Sequence, residues 1–411
     1  MLKSIVKLIL VILFVIFFTK DSQTAERYAR FWDFQSIDTM KYSRDIAREK
    51  LHDTAFDAVI ERQVHDIAET GATHVALATP YDEEFLPFLE RWVHAARKEN
   101  LKVWFRGNWS GWERWFDYGA IDRKTHIEKT RQFILDNPEL FEDGDVFSAC
   151  PECENGGPGD PRMTGNVQEY RDFLIEEFNA TEKAFDEIGK DVSSNYASMN
   201  GDVARLIMDK KTTEALDGVV VIDHYVADPE KLARDIQEIA ENSGGNVVLG
   251  EFGAPILDIH GAMSEEEQAA WIEHTLTTLI PIESLVGINY WVNVGGSTEL
   301  WDGAGNPRNA VTAIAEIYRP KQIQGVVTDE IGNAVSGATI EKPPVKAESD
   351  ARGTFVLPVI DNGTTMNVYA EGYFEKELTT VDSTVSITLV KKDPNIIYRL
   401  LRFLKRIGNL Q

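Results

Sequence analysis

The chain has 411 residues, 43% of them hydrophobic, with a formal net charge of −25 and a pI near 4.7. Phosphate recognition needs clustered Lys and Arg, so this balance argues against a nucleic-acid partner and fits a neutral substrate. Two cysteines in so long a chain exclude a disulfide scaffold.

In chain order, the first segment is "MLKSIVK", an unbroken apolar run from Leu8 to Phe18, and a polar exit. A positive start, a short apolar centre and a polar end describe an export signal over residues 1–25, cleaved or kept as an anchor. From Tyr28 to Pro320, short β-branched or aromatic runs alternate with longer amphipathic stretches. The expected strands are "YARFWDF", "HVALATP", "KVWFRGNW", "DVFSACPE", "VSSNYAS", "VVVIDHY", "VVLGEFG" and "VGINYWVN". Helices are expected over 57–70, 85–100, 126–137, 168–189, 229–242, 264–279 and 309–318, with Ser264 as an N-cap before three glutamates. Eight such units in a domain over 26–320 predict an α/β fold, a (β/α)8 TIM barrel. A doubly wound sheet is the alternative, but no Gly-rich phosphate turn follows the first strand.

At Lys321 the texture changes to strand-length runs and turn residues, which predicts a small all-β sandwich over 321–392. Its spacing, Ile323-x-Gly325-x-Val327-x-Asp329, Gly337-Ala338-x-Ile340, Asp350-x-x-Gly353-x-Phe355 and Ala370-x-Gly372-Tyr373, resembles the carboxypeptidase regulatory-like domain. That resemblance implies an accessory domain. The tail, 393–411, places Ile397, Leu400, Leu401, Leu404 and Ile407 on one helical face with Arg and Lys off it. A membrane-surface helix and a docked helix both fit that pattern.

No multi-His, nucleophile-elbow or P-loop motif occurs, so no metal and no cofactor are expected. Acidic and aromatic residues at strand ends remain, and in a barrel those ends line the active-site mouth. In "NVVLGEFGAP", alternation puts Glu251 on the side of Val247 and Leu249, read as the barrel interior. In "DVFSACPECENGG", Val146, Ser148, Cys150 and Glu152 share parity, which puts Glu152 at the rim. Two carboxyls brought together across a mouth are the apparatus of glycoside hydrolysis. Cys150 and Cys153 read as barrel filling or a local disulfide ahead of a redox or zinc pair.

On these motifs, residues 28–320 resemble the clan of retaining (β/α)8-barrel glycoside hydrolases that includes cellulases, mannanases and β-galactosidases. The resemblance implies Glu251 as nucleophile and Glu152 as acid/base, with Glu154 the alternate. It implicates His224 and Tyr225 beside the nucleophile and Trp291 as the platform under the sugar. The clan's usual Asn before the acid/base is replaced by Pro151, for which Asn155, Asn195 or Asn293 are candidate substitutes. Arg106 and Asn108, near Trp109, Trp112 and Trp115, are further candidates for substrate binding, as are Tyr81, Asp82, Asp33 and Gln35. The expected activity is an exported, cell-surface or secreted retaining glycosidase acting on a β-linked polysaccharide or glycan. The alternative is a carbohydrate-binding protein that keeps the barrel without the chemistry. Membrane association through either end of the chain is also expected.

Overall fold

The structure, a computed structural model, describes residues 29–157, 159–360 and 364–392. The expected signal segment and the amphipathic tail lie outside the described residues. The chain divides into two compact units, one spanning Arg30–Pro320 and the other holding, among the described residues, Ala29 and those from Lys321 onward.

The first unit holds eight parallel strands: β1 (Phe34–Asp38), β2 (His74–Leu77), β3 (Lys102–Phe105), β4 (Val146–Phe147), β5 (Ser198–Asn200), β6 (Val219–Asp223), β7 (Asn246–Phe252) and β8 (Leu285–Tyr290). Each is followed by a helix: α1 (Asp57–Glu69), α2 (Leu86–Lys98), α3 (Arg123–Asp136), α4 (Val167–Ile188), α5 (Gly201–Ile207), α6 (Pro229–Ser243), α7 (Glu265–Leu279) and α8 (Asn309–Tyr318). The sheet runs β4-β3-β2-β1-β8-β7-β6-β5. It closes where Val146 bridges Ser193, with Phe147 N–H donating to the Ser193 carbonyl at 2.9 Å. This is a (β/α)8 barrel. Three of these helices start at short polar side chains that cap them: Asp122 at α3, Asp228 at α6, and Ser264 with Glu267 in a capping box at α7.

Strand alternation sorts the side chains into two layers. Val75, Leu77, Val103, Phe105, Val247 and Leu249 pack outward against the helices. Phe34, Ala76, Trp104, Val146, Val221 and Val248 form a separate cluster inside the ring. Trp104 is the largest of these fillers and is fully buried, so emptying its site would cost about 3–5 kcal/mol. Arg106 lies over its indole ring, 4.7 Å from the centroid, and so marks where the filled interior ends and the mouth begins.

The second unit is all-β. One sheet runs β12 (Thr354–Val359), β9 (Lys321–Asp329), β15 (Thr384–Leu389). The other runs β11 (Val345–Glu348), β10 (Thr339–Lys342), β13 (Thr364–Tyr369), β14 (Lys376–Thr380). Ile323, Val327, Ile340, Phe355, Leu357, Val368 and Ile387 make its own core. β15 alternates exposed and buried residues throughout, the period-2 pattern of a strand with one wet face.

Candidate active site

At the mouth, four strand ends converge on one guanidinium. Arg106, the residue after β3, donates from Nη1 to Asp38 Oδ2 at 2.7 Å and to Glu251 Oε1 at 2.8 Å. Its Nη2 donates to Asp223 Oδ2 at 3.0 Å and to Ser198 Oγ at 3.2 Å. All these groups are buried, and three carboxylates against one cation leave a surplus of negative charge. Burial chiefly raises the Asp38 and Asp223 carboxyls above the usual range against the pull of Arg106, and Glu251 raises both further. Burial opposes the charge on Arg106, yet Asp223, Glu251 and Asp38 hold its proton more tightly than usual. Tyr225 donates its hydroxyl to the other oxygen of Glu251 at 2.9 Å, so both Glu251 oxygens accept hydrogen bonds.

Glu251 does face the mouth, but not by simple alternation. Val247 and Leu249 point out to the helices and Val248 points in. The register between β6 and β7 shifts so that Ile222 pairs Leu249 while Asp223 pairs Glu251, which leaves Gly250 as an extra residue. This bulge reverses the phase and turns Glu251 inward. A Cβ on Gly250 would lie 2.4 Å from Asp223 Oδ1, so only glycine fits there.

Glu152 also departs from strand parity. β4 ends at Phe147, and Glu152 sits on a turn with φ +44 and ψ +48, left-handed backbone that costs a side-chain-bearing residue roughly 1–2 kcal/mol. Cys150 and Cys153, on either side, are joined as a disulfide. Glu152 is half-buried, and its oxygens accept from Asn155 Nδ2 at 2.9 Å and Asn200 Nδ2 at 3.3 Å. Burial, then the charges of Glu251 and Glu154, push its carboxyl up to about 7. Glu154 is sunk in the loop. It accepts from Asn200 N–H at 2.7 Å, Asn200 Nδ2 at 3.0 Å and the Tyr170 hydroxyl at 3.4 Å.

Glu152 and Glu251 line one cleft, together with Arg106, Asn108, Glu113, Arg44 and Trp115. Asn108 donates to Glu113 Oε1 at 2.7 Å and is itself fixed by His126 Nε2 at 2.9 Å. Burial raises the Glu113 carboxyl, partly offset by the Asn108 bond. Trp115 is the partly exposed tryptophan of the cleft, with Arg44 stacked 4.2 Å from its ring centroid. Trp291 stands next to Tyr225, their ring centroids 6.2 Å apart.

Other expected site residues lie elsewhere. His224 turns away to Asp235 on α6, at 2.8 Å. Asn293 donates to Gln63 on α1 and Asn195 to the Leu216 carbonyl, both buried and structural. Tyr81 is packed between Phe133 and Phe147, with its hydroxyl on the Ser148 carbonyl. Asp82 accepts from Ser110 N–H. Gln35 binds the Tyr318 carbonyl, and Asp33 precedes β1 at the opposite end from the mouth. Trp109 and Trp112 are core, bonded to Thr130 and to the Cys153 carbonyl. Asp38, Asp223, Glu113 and Asn200 belong to the site without having been expected. The signal for the first two was present, because "FQSID" and "VVVID" each end an apolar strand in Asp.

No family model and no curated protein matches the sequence. Among solved structures the chain is similar to a GH5_18 from Bifidobacterium longum subsp. infantis, at 14% identity over 74% of this chain and 86% of that one, TM-score 0.53. It is also similar to a GH5_18 from Streptomyces cattleya in complex with GlcNAc, at 16% identity over 73% and 85%, TM-score 0.52. An FMN-binding beta-glucuronidase from Facaelibacterium prausnitzii L2-6 matches at 13% identity and TM-score 0.46, over 80% of this chain and 53% of that one. The chain thus spans about half the length of that glucuronidase. At these identities the likeness is one of fold, the (β/α)8 barrel.

Proposed function

We propose that this chain is a retaining glycoside hydrolase acting on β-linked sugars, with Glu251 as nucleophile and Glu152 as acid/base. One observation carries the reading: two carboxyls on the same cleft sit in opposite environments. Glu251 has an Arg106 N–H on one oxygen and the Tyr225 hydroxyl on the other, which clamp the carboxyl in place at the cleft. Glu152 has no such cation at its oxygens, only two amides, and burial beside other carboxylates favours its protonated form. A carboxyl that keeps its proton and a second carboxyl clamped by donors on the same cleft are the pair that an acid and a nucleophile require.

In the first step a Glu251 oxygen attacks the anomeric carbon as the glycosidic bond breaks, and the Glu152 proton passes to the leaving oxygen. In the second, the Glu152 carboxylate takes a proton from water, whose oxygen attacks the same carbon and releases Glu251. The steps use two carboxyls and water and call for no cofactor. Glu154 is assigned to holding the loop, since three donors already occupy it. The solved GH5_18 complexes contain GlcNAc and Manβ1-4GlcNAc, which supports a glycan as substrate. We assign an exported location on the Lys3, Lys7 and Leu8–Phe18 pattern, and an accessory role to the C-terminal sheets.

The test is a panel of aryl β-glycosides and β-linked oligosaccharides, with product stereochemistry followed by proton NMR. Glu251→Ala should abolish turnover with the fold intact, and azide should restore it through an inverted glycosyl azide. Retained activity in Glu251→Ala, or an inverted first product from wild type, would sink the assignment. Glycan binding with no turnover of any member would instead assign a binding protein.

A further inference from the structure

The proposed chemistry leaves both cysteines without a role, although they flank the proton donor. Their disulfide closes a four-residue ring, with the two Cα atoms 5.2 Å apart and Glu152 inside it. Cys150 and Cys153 are 2% and 1% exposed. Thiol exchange needs an accessible sulfur, so a permanent link fits this burial better than a redox couple.

The ring is fastened to the barrel from outside. Asn108 Nδ2 reaches the Cys150 sulfur at 3.6 Å, and Trp112 Nε1 donates to the Cys153 carbonyl at 3.3 Å. Glu152 N–H donates to the Ser198 carbonyl at 2.8 Å. These contacts fix the frame, and Asn155 and Asn200 hold the Glu152 oxygens, but none of them requires left-handed backbone at Glu152. Strand register does not impose it either, because β4 stops at Phe147. Glu152 keeps left-handed backbone, a region that non-glycine residues occupy only when the surroundings impose it. Pro151 adds to this by fixing its own φ and restricting Cys150 to extended backbone.

We propose that the Cys150–Cys153 disulfide is a positioning element: it imposes the left-handed turn that presents the Glu152 carboxyl to the cleft shared with Glu251. The inference rests on the reading of Glu152 as acid/base. Glu251 is placed by a bulge in a paired strand, and Glu152 by a covalent ring.

The test compares wild type with Cys150→Ala/Cys153→Ala, once circular dichroism and thermal melting show that the variant folds. If it does not, Cys153→Ala alone, which keeps the Asn108 contact to Cys150, is read in the same way. A dinitrophenyl β-glycoside leaves without a proton, whereas a phenyl β-glycoside needs one. Losing the ring should lower kcat/KM on the phenyl substrate by about tenfold or more, and by less than about threefold on the dinitrophenyl one. Equal losses on both, or none on either, overturn the proposal.

A second readout needs no turnover. Carbon-13 titration of the Glu152 carboxyl should show the wild-type midpoint near 7 falling toward the ordinary carboxylate range as the freed side chain meets solvent. If the wild type hydrolyses no glycoside at all, the glycosidase reading fails by itself. The titration then decides the positioning role, and an unchanged midpoint rejects it.

Discussion

Glu152 holds its proton to about pH 7 through burial first and neighbouring carboxylates second. In the proposed mechanism that proton passes to the leaving group, so kcat/KM should fall as pH rises through about 7. In wild type this basic limb should appear on a phenyl β-glycoside and be absent on a dinitrophenyl β-glycoside, and pH-rate profiles on the two substrates check it. The same shift has a thermodynamic side. The folded chain binds the proton more tightly than the unfolded chain, whose carboxyl titrates near 4.5. The associated stability is present below that value and is lost as pH climbs to about 7. Glu152→Gln, neutral throughout, should therefore be more stable than wild type at pH 8 by about 1–3 kcal/mol, with the gap closing toward pH 4.5. Denaturant titrations at both pH values test this, and a gap that did not vary with pH would contradict it. Arg106 gives the opposite case. Arg106→Met leaves Asp38, Asp223 and Glu251 buried around an uncharged residue and should cost about 3–5 kcal/mol at pH 7. Unfolding in acid should show a smaller penalty, because protonated carboxyls no longer need the cation.

At the level of elements, β7 shows what pattern reading captures and what it misses. The run "VVLGEF" announces a strand that carries a carboxylate at its end, and so it does. Simple alternation would put Val247 and Leu249 inside the barrel, whereas both face the helices. Glu251 points inward because Gly250 is extra, and a bulge is set by the register of neighbouring strands, which no single segment encodes. Gly250→Ala should collide with Asp223 and straighten or shift the bulge. The expected result is a loss of about 1–3 kcal/mol in stability together with a fall in kcat, read by melting and kinetics. β1 is displaced for a related reason. "YARFWDF" is the more aromatic run, but the paired residues are Phe34–Asp38, so attention falls on Asp33 and Gln35 at the wrong end and passes over Asp38. The seven long helices are legible within about three residues, since their apolar period is strong and three start at clear caps. The helix Gly201–Ile207 is too short to announce itself by period.

For the whole molecule, the ring of strands has one thin joint. β4 has two residues and β5 has three, and they stand at the two ends of the strand order. Between them the closure rests on the Val146–Ser193 bridge, Gly144 N–H on the Asp191 carbonyl, the Ser148 hydroxyl on the Tyr196 carbonyl, and Glu152 N–H on the Ser198 carbonyl. Every other neighbouring pair but β3–β4 is joined by a register of three residues or more. A hoop parts at its weakest stave, and here the proposed proton donor follows that stave. On slow heating, hydrolysis should therefore decline several degrees before the far-ultraviolet helix signal does, and hydrogen exchange should release the Phe147 and Ser193 amides before those of β7 and β8. Coincident loss of both signals would show that the barrel gives way all at once. If the two separate, the temperature at which this protein stops working is set by the mending of one short gap between strands, not by the strength of its core.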